Sequence, residues 1–145
     1  MIKILCVGKI KEKYLQDLIN DYLNRINKYY KIEIIELKEN IDIEKENKNI
    51  LEHIKSNEFN IALDIKGEKY TSEKFAYLVE KTFLINSNIT FIIGGSLGLN
   101  DIVKNKCDKI ISFSDLTFPH GLFRGILLEQ IYRSFKIINN ETYHK

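Results

Sequence analysis

Side chains suited to moving a proton are concentrated near the end of this chain. His120 follows the only proline of the sequence, and the chain ends on Tyr143, His144 and Lys145. An imidazole gains or loses a proton near neutral pH, and a phenol can position a reacting group. These residues predict an acid–base site to which the tail supplies His144 or Tyr143, with His120 as a competing candidate. The alternatives are that His120 only begins a helix and that the polar tail is frayed.

Arg124 is the charged residue that fits its surroundings in the sequence least well. On a helical wheel of about 100° per residue, it lies in the middle of an apolar face. The other members of this face are Leu127, Leu128, Ile131, Tyr132, Phe135 and Ile138. A buried guanidinium without a partner is costly, and the first turn of a helix disfavours a cation. Arg124 should therefore meet a carboxylate, a phosphate or backbone carbonyls, unless the first turn projects past the core and the arginine is solvated.

A glycine-rich turn follows the hydrophobic stretch 89–93. The segment Gly94–Gly98 (GGSLG) holds three of the seven glycines, and glycine lets a backbone turn sharply and approach a ligand closely. The spacing is neither the dinucleotide-binding pattern nor a phosphate-binding loop. It favours a small ligand held by backbone groups, with an ordinary tight turn between a strand and a helix as the alternative.

The second candidate loop is Ser114–His120. It places Leu116 and Phe118, two apolar side chains, in a loop where they need something to cover. An adenine ring or a neighbouring subunit would provide that surface. Asp115 and Thr117 are equally consistent with simple capping of a turn.

The elements that position these loops alternate regularly between strand and helix. Strands are predicted at residues 2–7, 31–37, 60–65, 89–93 and 109–113. Helices are predicted at 11–27, from Thr71 or Ser72 onward, at 101–106 and at 121–138. Within the charged stretch 38–57, a short surface helix is predicted around Ile50, Leu51 and Ile54. The apolar stripe of the first helix, which should face the sheet, consists of Tyr14, Leu15, Leu18, Ile19, Tyr22, Leu23 and Ile26. This alternation predicts an α/β fold with a mostly parallel sheet and helices on both faces, in a single domain of residues 1–145.

Composition narrows the classes of function. The 145 residues are 44% hydrophobic and carry a formal net charge of +2, weaker than that of most dedicated nucleic-acid-binding domains. No apolar run approaches the roughly 20 residues that a membrane span needs. Cys6 and Cys107 lack metal-ligand spacing, so no metal is expected, and the thiols are predicted to be reduced in a cytoplasmic protein. The last helix is apolar nearly all round, which predicts that a second subunit covers it in a homodimer.

Several motifs taken together resemble one known family. They are ILCVGKIKEKY near the start, LDIKG, GGSLGL, SFSDLTFPH, the pattern R-x4-EQ-x-YRSFKI and the terminal YHK. Their order and spacing closely resemble the RlmH-type ribosomal RNA methyltransferases of the SPOUT class, over nearly the whole chain. One departure is Asn140, where many relatives have glycine. Asparagine tolerates the left-handed conformation well, so the turn should survive.

The resemblance implies an enzyme that uses S-adenosylmethionine to methylate N3 of a pseudouridine in 23S rRNA of the assembled ribosome. It also implies a homodimer and a C-terminal trefoil knot, which general topology rules alone would reject. The family's cofactor residues correspond here to Leu63, Gly94, Phe113, Ser114, Asp115, Leu116, Thr117 and Phe118. The alternatives are a tRNA methyltransferase of the same class and a non-catalytic protein that binds the ribosome.

Within that reaction, N3 must lie about 3–3.5 Å from the methyl group and must lose its proton. The partner subunit's His144 is the expected general base or orienting group. Tyr143 would stack on the target base or position it. Arg124 would hold an rRNA phosphate or steady the deprotonated base, and His120 is the competing general base.

Overall fold

The computed structural model describes residues 1–145. The strands are β1 (Ile2–Val7), β2 (Ile32–Leu37), β3 (Phe59–Lys69), β4 (Ile89–Ile93) and β5 (Lys109–Ser112). The helices are α1 (Lys13–Asn27), α2 (Ile43–Glu52), α3 (Ser72–Ile85), α4 (Asp101–Asn105) and α5 (His120–Ile138). Strand and helix alternate from the first element to the last, as the sequence predicts.

All five strands run parallel in one sheet of order β2-β1-β4-β3-β5. Buried apolar side chains form two clusters on opposite faces of this sheet. The larger cluster includes residues of α1, α3 and α5, and the smaller includes residues of α2 and α4. The predicted α/β class with helices on both faces is therefore confirmed. Because β4, β3 and β5 are neighbours and parallel, the loops that follow them meet at one edge of the sheet.

Strand β3 is longer than the sequence predicts. It runs to Lys69, past the predicted end at Ile65, after an irregularity in its pairing with β5. A Cβ atom at Gly67 would lie 2.6 Å from the backbone of Ile111 in β5. The glycine therefore allows the two strands to approach each other closely and does not end β3.

The start of α1 also differs from the prediction. The helix begins at Lys13, not Lys11, and Tyr14 is 71% exposed instead of facing the sheet. Leu15 is buried, and the step of about 100° between adjacent helical residues turns Tyr14 away from the core. The other members of the predicted stripe are buried or partly buried.

The charged stretch between β2 and β3 forms α2, which is more deeply embedded than a surface helix. Ile50 is buried as its pattern suggests, but Glu46 and Asn47 are buried too. The Asn47 side-chain oxygen accepts the backbone N–H of Asn100 at 2.9 Å, which ties α2 to the start of α4. Ile54 lies beyond the last residue of α2.

The helix ends follow their sequence signals. Thr71 is the N-cap of α3, and its side chain accepts the backbone N–H of Lys74. Beyond α5, Asn140 has a φ of 54° and is the only non-glycine residue with positive φ, so the predicted left-handed turn is confirmed. None of the helices combines the length and the apolarity required to cross a bilayer.

Candidate active site

A cleft of about 570 Å³ lies at the edge where the strands end. The ends of β4 and β5, the loops after them and residues 63–65 of β3 form its walls. The expected cofactor residues that line it are Leu63, Gly94, Phe113, Ser114, Leu116, Thr117 and Phe118. Asp115 is the exception, because it is exposed and its carboxylate pairs with Lys69 outside the lining. The two loops that the sequence singles out separately thus form one cleft.

The glycine turn after β4 has a backbone that other residues could not adopt without a shift. A Cβ atom at Gly94 would lie 2.7 Å from the carbonyl carbon of Gly98, whose own φ is +78°. The turn closes through a 3.0 Å hydrogen bond from Gly98 N–H to the Gly95 carbonyl. The backbone N–H groups of Ser96 and Leu97 have no backbone partner. They remain free to donate to a ligand in the cleft, which lies against them.

The loop after β5 forms the opposite wall. The Ser114 hydroxyl oxygen accepts the Leu116 backbone N–H at 2.9 Å, and this turn leaves the Leu116 side chain 70% exposed at the cleft mouth. Phe118 stacks on Phe123 with ring centroids 6.2 Å apart, and Phe113 meets the same ring edge-on at 5.5 Å. These aromatic contacts hold the wall in place, and the exposed Leu116 side chain presents an apolar surface to a ligand in the cleft.

Asp64 is a lining residue that the sequence analysis missed. It follows Leu63 directly, and its carboxylate forms a 2.9 Å ion pair with Lys104 of α4. Both side chains are only 18% exposed, so the pair fixes a carboxylate at the cleft wall. An acidic residue between two apolar residues, Leu63 and Ile65, of a predicted strand was the available signal in the sequence.

His120 is the predicted acid–base residue that the structure places in the cleft. It is the first residue of α5, it is exposed, and it also lines two adjoining depressions. No protein group occupies its ring nitrogens. Its position at the end of the second loop therefore combines access to a ligand with an available proton acceptor.

Arg124 is 3% exposed, and its guanidinium has polar partners, as its position in the middle of the apolar face predicts. Its Nη1 donates to Glu36 Oε2 at 2.7 Å, and its Nη2 donates to the carbonyls of Val7 and Gly8 at 3.4 and 3.3 Å. The prediction of a carboxylate or backbone carbonyls is confirmed, and the solvated alternative is wrong. The guanidinium ties α5 to the ends of β1 and β2, beside a depression that His120 also lines.

Tyr143 lies away from the cleft, against the helical layer of its own chain. Its hydroxyl donates to Glu129 Oε1 at 3.0 Å, and its ring packs edge-on against Tyr132. Burial raises the pKa of the Tyr143 phenol, and hydrogen bonds with Tyr22 and Glu129 raise it further. The phenol is therefore held in its neutral form in this position.

His144 is also outside the cleft, and both of its ring nitrogens are occupied. Nδ1 lies 3.0 Å from Arg133 Nη1, and Nε2 lies 2.7 Å from Glu73 Oε1. An arginine only donates and an ionised carboxylate only accepts, so Nδ1 accepts and Nε2–H donates. His144 has no free lone pair in this position. Its Nδ1 can accept from another donor only after the ring leaves Arg133.

The cysteines and the acidic side chains form no metal site. Cys6 and Cys107 are both free, and burial raises the pKa of each thiol to about 11. No group of three or more His, Cys, Asp or Glu side chains is arranged to hold a metal ion.

Fold and site together define a class. A parallel α/β sheet carries a ligand cleft at its carboxyl edge, built from a glycine turn and a second strand-end loop. Residues 1–144 match the family described as "Predicted SPOUT methyltransferase". The chain belongs to the SPOUT methyltransferase family.

Its relatives make the comparison more specific. The chain is 50% identical over 157 residues to the ribosomal RNA large subunit methyltransferase H of Clostridium botulinum (strain Kyoto), with 99% of each chain covered. Identity and coverage are the same for the ribosomal RNA large subunit methyltransferase H 1 of Clostridium perfringens (strain SM101).

A solved structure supports the fold independently. A probable methylase family protein from Haemophilus influenzae Rd KW20 superimposes with a TM-score of 0.60 over 99% of this chain and 70% of that one. The two sequences are only 11% identical, so this likeness concerns the arrangement of the elements.

Proposed function

We propose that this protein transfers a methyl group from S-adenosylmethionine to N3 of a pseudouridine in 23S rRNA of the assembled ribosome, in the cytoplasm. The observation that carries the proposal is the single cleft in which the glycine turn and the Ser114–His120 loop meet. The relatives that are 50% identical to this chain are named as methyltransferases of the large-subunit ribosomal RNA, which supports the proposed substrate. The modest net charge of +2 suits an enzyme whose target is positioned by the ribosome itself.

The residues of the cleft fit the proposed donor. Leu116 and Phe118 offer apolar surface for an adenine ring, and the free N–H groups of Ser96 and Leu97 can donate to its polar atoms. The space that a Cβ atom at Gly94 would need is filled by Gly98, so the backbone itself forms that wall. Bound there, S-adenosylmethionine supplies a methyl group activated by its sulfonium charge.

The acid–base roles divide between two histidines. We assign the general base, or the group that orients N3, to the partner subunit's His144, with Tyr143 of the same tail stacking on the target base. His120 is the alternative base because it already lines the cleft with its ring nitrogens open. A tail that acts in the other subunit must first exchange its contacts with Glu73 and Arg133.

Arg124 is proposed to hold an rRNA phosphate or to steady the deprotonated base. Its guanidinium is committed to Glu36 and to two carbonyls, so this role requires RNA to replace Glu36. Only its Nε lacks a partner, and that atom is buried. The present contacts support a structural contribution of Arg124 in the protein without RNA.

The tail can reach another subunit's cleft only in a homodimer, which we propose together with the trefoil knot of the C-terminal part. Exposed apolar side chains support the dimer, because Tyr14 and Leu122 flank a depression between α1 and α5. Light scattering during size-exclusion chromatography should give twice the monomer mass at micromolar concentration. A monomer would remove the basis for a shared site.

The decisive test measures transfer of labelled methyl from S-adenosylmethionine to ribosomes that lack the modification. Free tRNA and naked rRNA serve as controls. Label confined to 23S rRNA of assembled ribosomes is the expected result, and mapping should place it on N3 of a pseudouridine. Label in tRNA would reassign the substrate. Donor binding without transfer to any of the three would point to a non-catalytic protein that binds the ribosome.

The choice between the two bases needs single substitutions. His144→Ala is expected to lower the rate of methyl transfer on the order of 100-fold, as for loss of a general base. His120→Ala is expected to retain most of the rate. The reverse pattern would transfer the role of base to His120.

A further inference from the structure

Glu46 is a buried carboxylate that the proposed reaction does not use. It lies near the start of α2, is 4% exposed, and its side chain contacts Gly95 in the glycine turn. Its Oε2 accepts the backbone N–H of Asn40 at 2.9 Å. Its Oε1 is buried without any hydrogen-bond partner. A buried carboxylate oxygen with no donor is costly, so its position requires an explanation.

The surroundings of Glu46 leave its charge uncompensated. It lines a depression of about 490 Å³ that shares Gly95, Ser96, Leu97 and His120 with the cofactor cleft. The other charged residue of that depression is Glu39, and no lysine or arginine lines it. The amino-terminal end of α2 and the Asn40 N–H stabilise the carboxylate in part. The shared wall is therefore negative on the side that faces away from the cleft.

A partner for this charge must be positive, yet it need not donate a hydrogen bond. The Oε1 atom is shielded by Gly95, so a ligand in the cleft acts on it through the field across the turn and not by contact. A sulfonium matches this requirement because it carries a full positive charge and has no N–H or O–H. In a region from which water is excluded, such a charge–charge interaction is far stronger than in bulk solvent.

We infer that Glu46 makes the cleft prefer the positively charged methyl donor over the neutral thioether that remains after transfer. The inference rests on the proposed use of S-adenosylmethionine. It adds a residue that makes the affinity for the donor higher than it would be without the charge, relative to the affinity for the product. Methyl transfer removes the positive charge from sulfur, so the attraction to Glu46 disappears with the reaction. The charge that favours donor binding therefore gives no added affinity to the product.

Calorimetry on the full-length protein tests this with two ligands that differ in the charge on sulfur. S-adenosylmethionine and S-adenosylhomocysteine are each titrated into the wild type and Glu46→Gln, which keeps the shape of the side chain and removes its charge. The variant should bind S-adenosylmethionine about tenfold more weakly, as expected for loss of one nearby charge. Its affinity for S-adenosylhomocysteine should change by less than about twofold, because the sulfur of that ligand carries no charge.

The matched control is Glu44→Gln, which removes an exposed carboxylate from the same helix and should change neither affinity. Equal losses for both ligands in Glu46→Gln would mean that Glu46 only supports the turn, and unchanged affinities would mean that it has no role. Either result overturns the inference while leaving the proposed function intact. A wild type that binds neither ligand would overturn both.

Glu46→Asp covers the case in which Glu46→Gln does not fold. The shorter side chain withdraws from Gly95 but keeps the negative charge. The ratio of the two affinities should stay within about threefold of the wild type, since the charge remains near the cleft. If Glu46→Asp instead lowers the ratio of the two affinities about tenfold, as expected for loss of the charge, an electrostatic role is contradicted.

Discussion

The cleft beside the glycine turn and the C-terminal tail both contain polar groups, but they differ in how those groups are used. In the cleft, the N–H groups of Ser96 and Leu97 and the ring of His120 are left open. In the tail, the Tyr143 hydroxyl and both nitrogens of His144 are already bonded within the chain. One folded chain therefore leaves the polar groups of the cleft open and the proposed base occupied elsewhere.

The difference follows from what each region can reach. The cleft is formed by the loops after β4 and β5, two parallel strands on either side of β3, which the sheet brings to one edge. The tail follows the last helix, so its side chains first meet the surfaces of α5 and its neighbours. A group held in this way needs a competing surface to move it, and a second subunit is the surface that the proposal requires.

Removing the tail should produce the largest effect. Deletion of Tyr143–Lys145 should lower methyl transfer at least on the order of 100-fold, because the proposed base and the stacking phenol are lost. The dissociation constant of S-adenosylmethionine should stay within about twofold, since no tail residue lines the cleft. Deletion of Lys145 alone is the control. Normal transfer by the longer deletion would show that the cleft suffices and would favour His120.

Disturbing the cleft should lower the affinity for the donor, which deletion of the tail leaves unchanged. Gly94→Ala places a Cβ atom where the Gly98 backbone lies, so the glycine turn must shift. Donor affinity measured by calorimetry should fall at least about tenfold, and methyl transfer should fall with it. Ser96→Ala keeps the backbone of the same turn and should bind normally. An unaffected Gly94→Ala variant would mean that the turn is not part of the donor site.

The Arg124–Glu36 pair belongs neither to the lining of the cleft nor to the tail, and its loss should affect stability first. Glu36→Gln leaves a 3% exposed guanidinium without its carboxylate, which should lower the free energy of unfolding by about 2 kcal/mol. Urea unfolding at fixed protein concentration measures the loss. Glu33→Gln, on the same strand and exposed, should change it by less than about 0.5 kcal/mol. Equal stability of the two variants would mean that the pair contributes nothing.

The sequence predicted local features better than contacts between distant segments. Apolar patterns predict the order of the strands and most of the helices, and the wheel around Arg124 predicts that its buried guanidinium has a partner. Neither identifies Glu36, which lies 88 residues away and becomes a neighbour only through the order of the strands. The length of β3 was missed because Gly67 is typical of a strand end, whereas here it serves close packing.

The candidate site divides in the same way. The two loops could be identified from the sequence because one has three glycines directly after a strand and the other has apolar side chains where a loop is usually polar. Glu46 was missed because a charged stretch looks exposed when only composition is considered, and its burial depends on packing against Gly95. The position of the tail could not be predicted, since polar residues after a helix carry no periodic signal.

The smallest expected effect tests what holds the tail in place. The hydrogen bond from His144 lowers the pKa of Glu73 below its ordinary value of 4.5. Because this pKa is lowered, the contact stabilises the attached tail at pH values above the ordinary pKa of 4.5. The stabilisation is lost as the pH falls through the lowered pKa of Glu73. Carboxypeptidase should therefore remove His144 faster in Glu73→Gln by only about threefold at neutral pH, because the pair is exposed.

Glu80→Gln removes an exposed carboxylate further along α3 and should leave the trimming rate unchanged. If Glu73→Gln is trimmed at the wild-type rate, the remaining contacts of the tail, among them those with Glu129 and Arg133, must hold it. These contacts would then be the ones that a second subunit has to replace. If instead the threefold effect appears and methyl transfer rises with it, the attachment of the tail to its own chain competes with catalysis, and the cleft and the tail are linked by that competition.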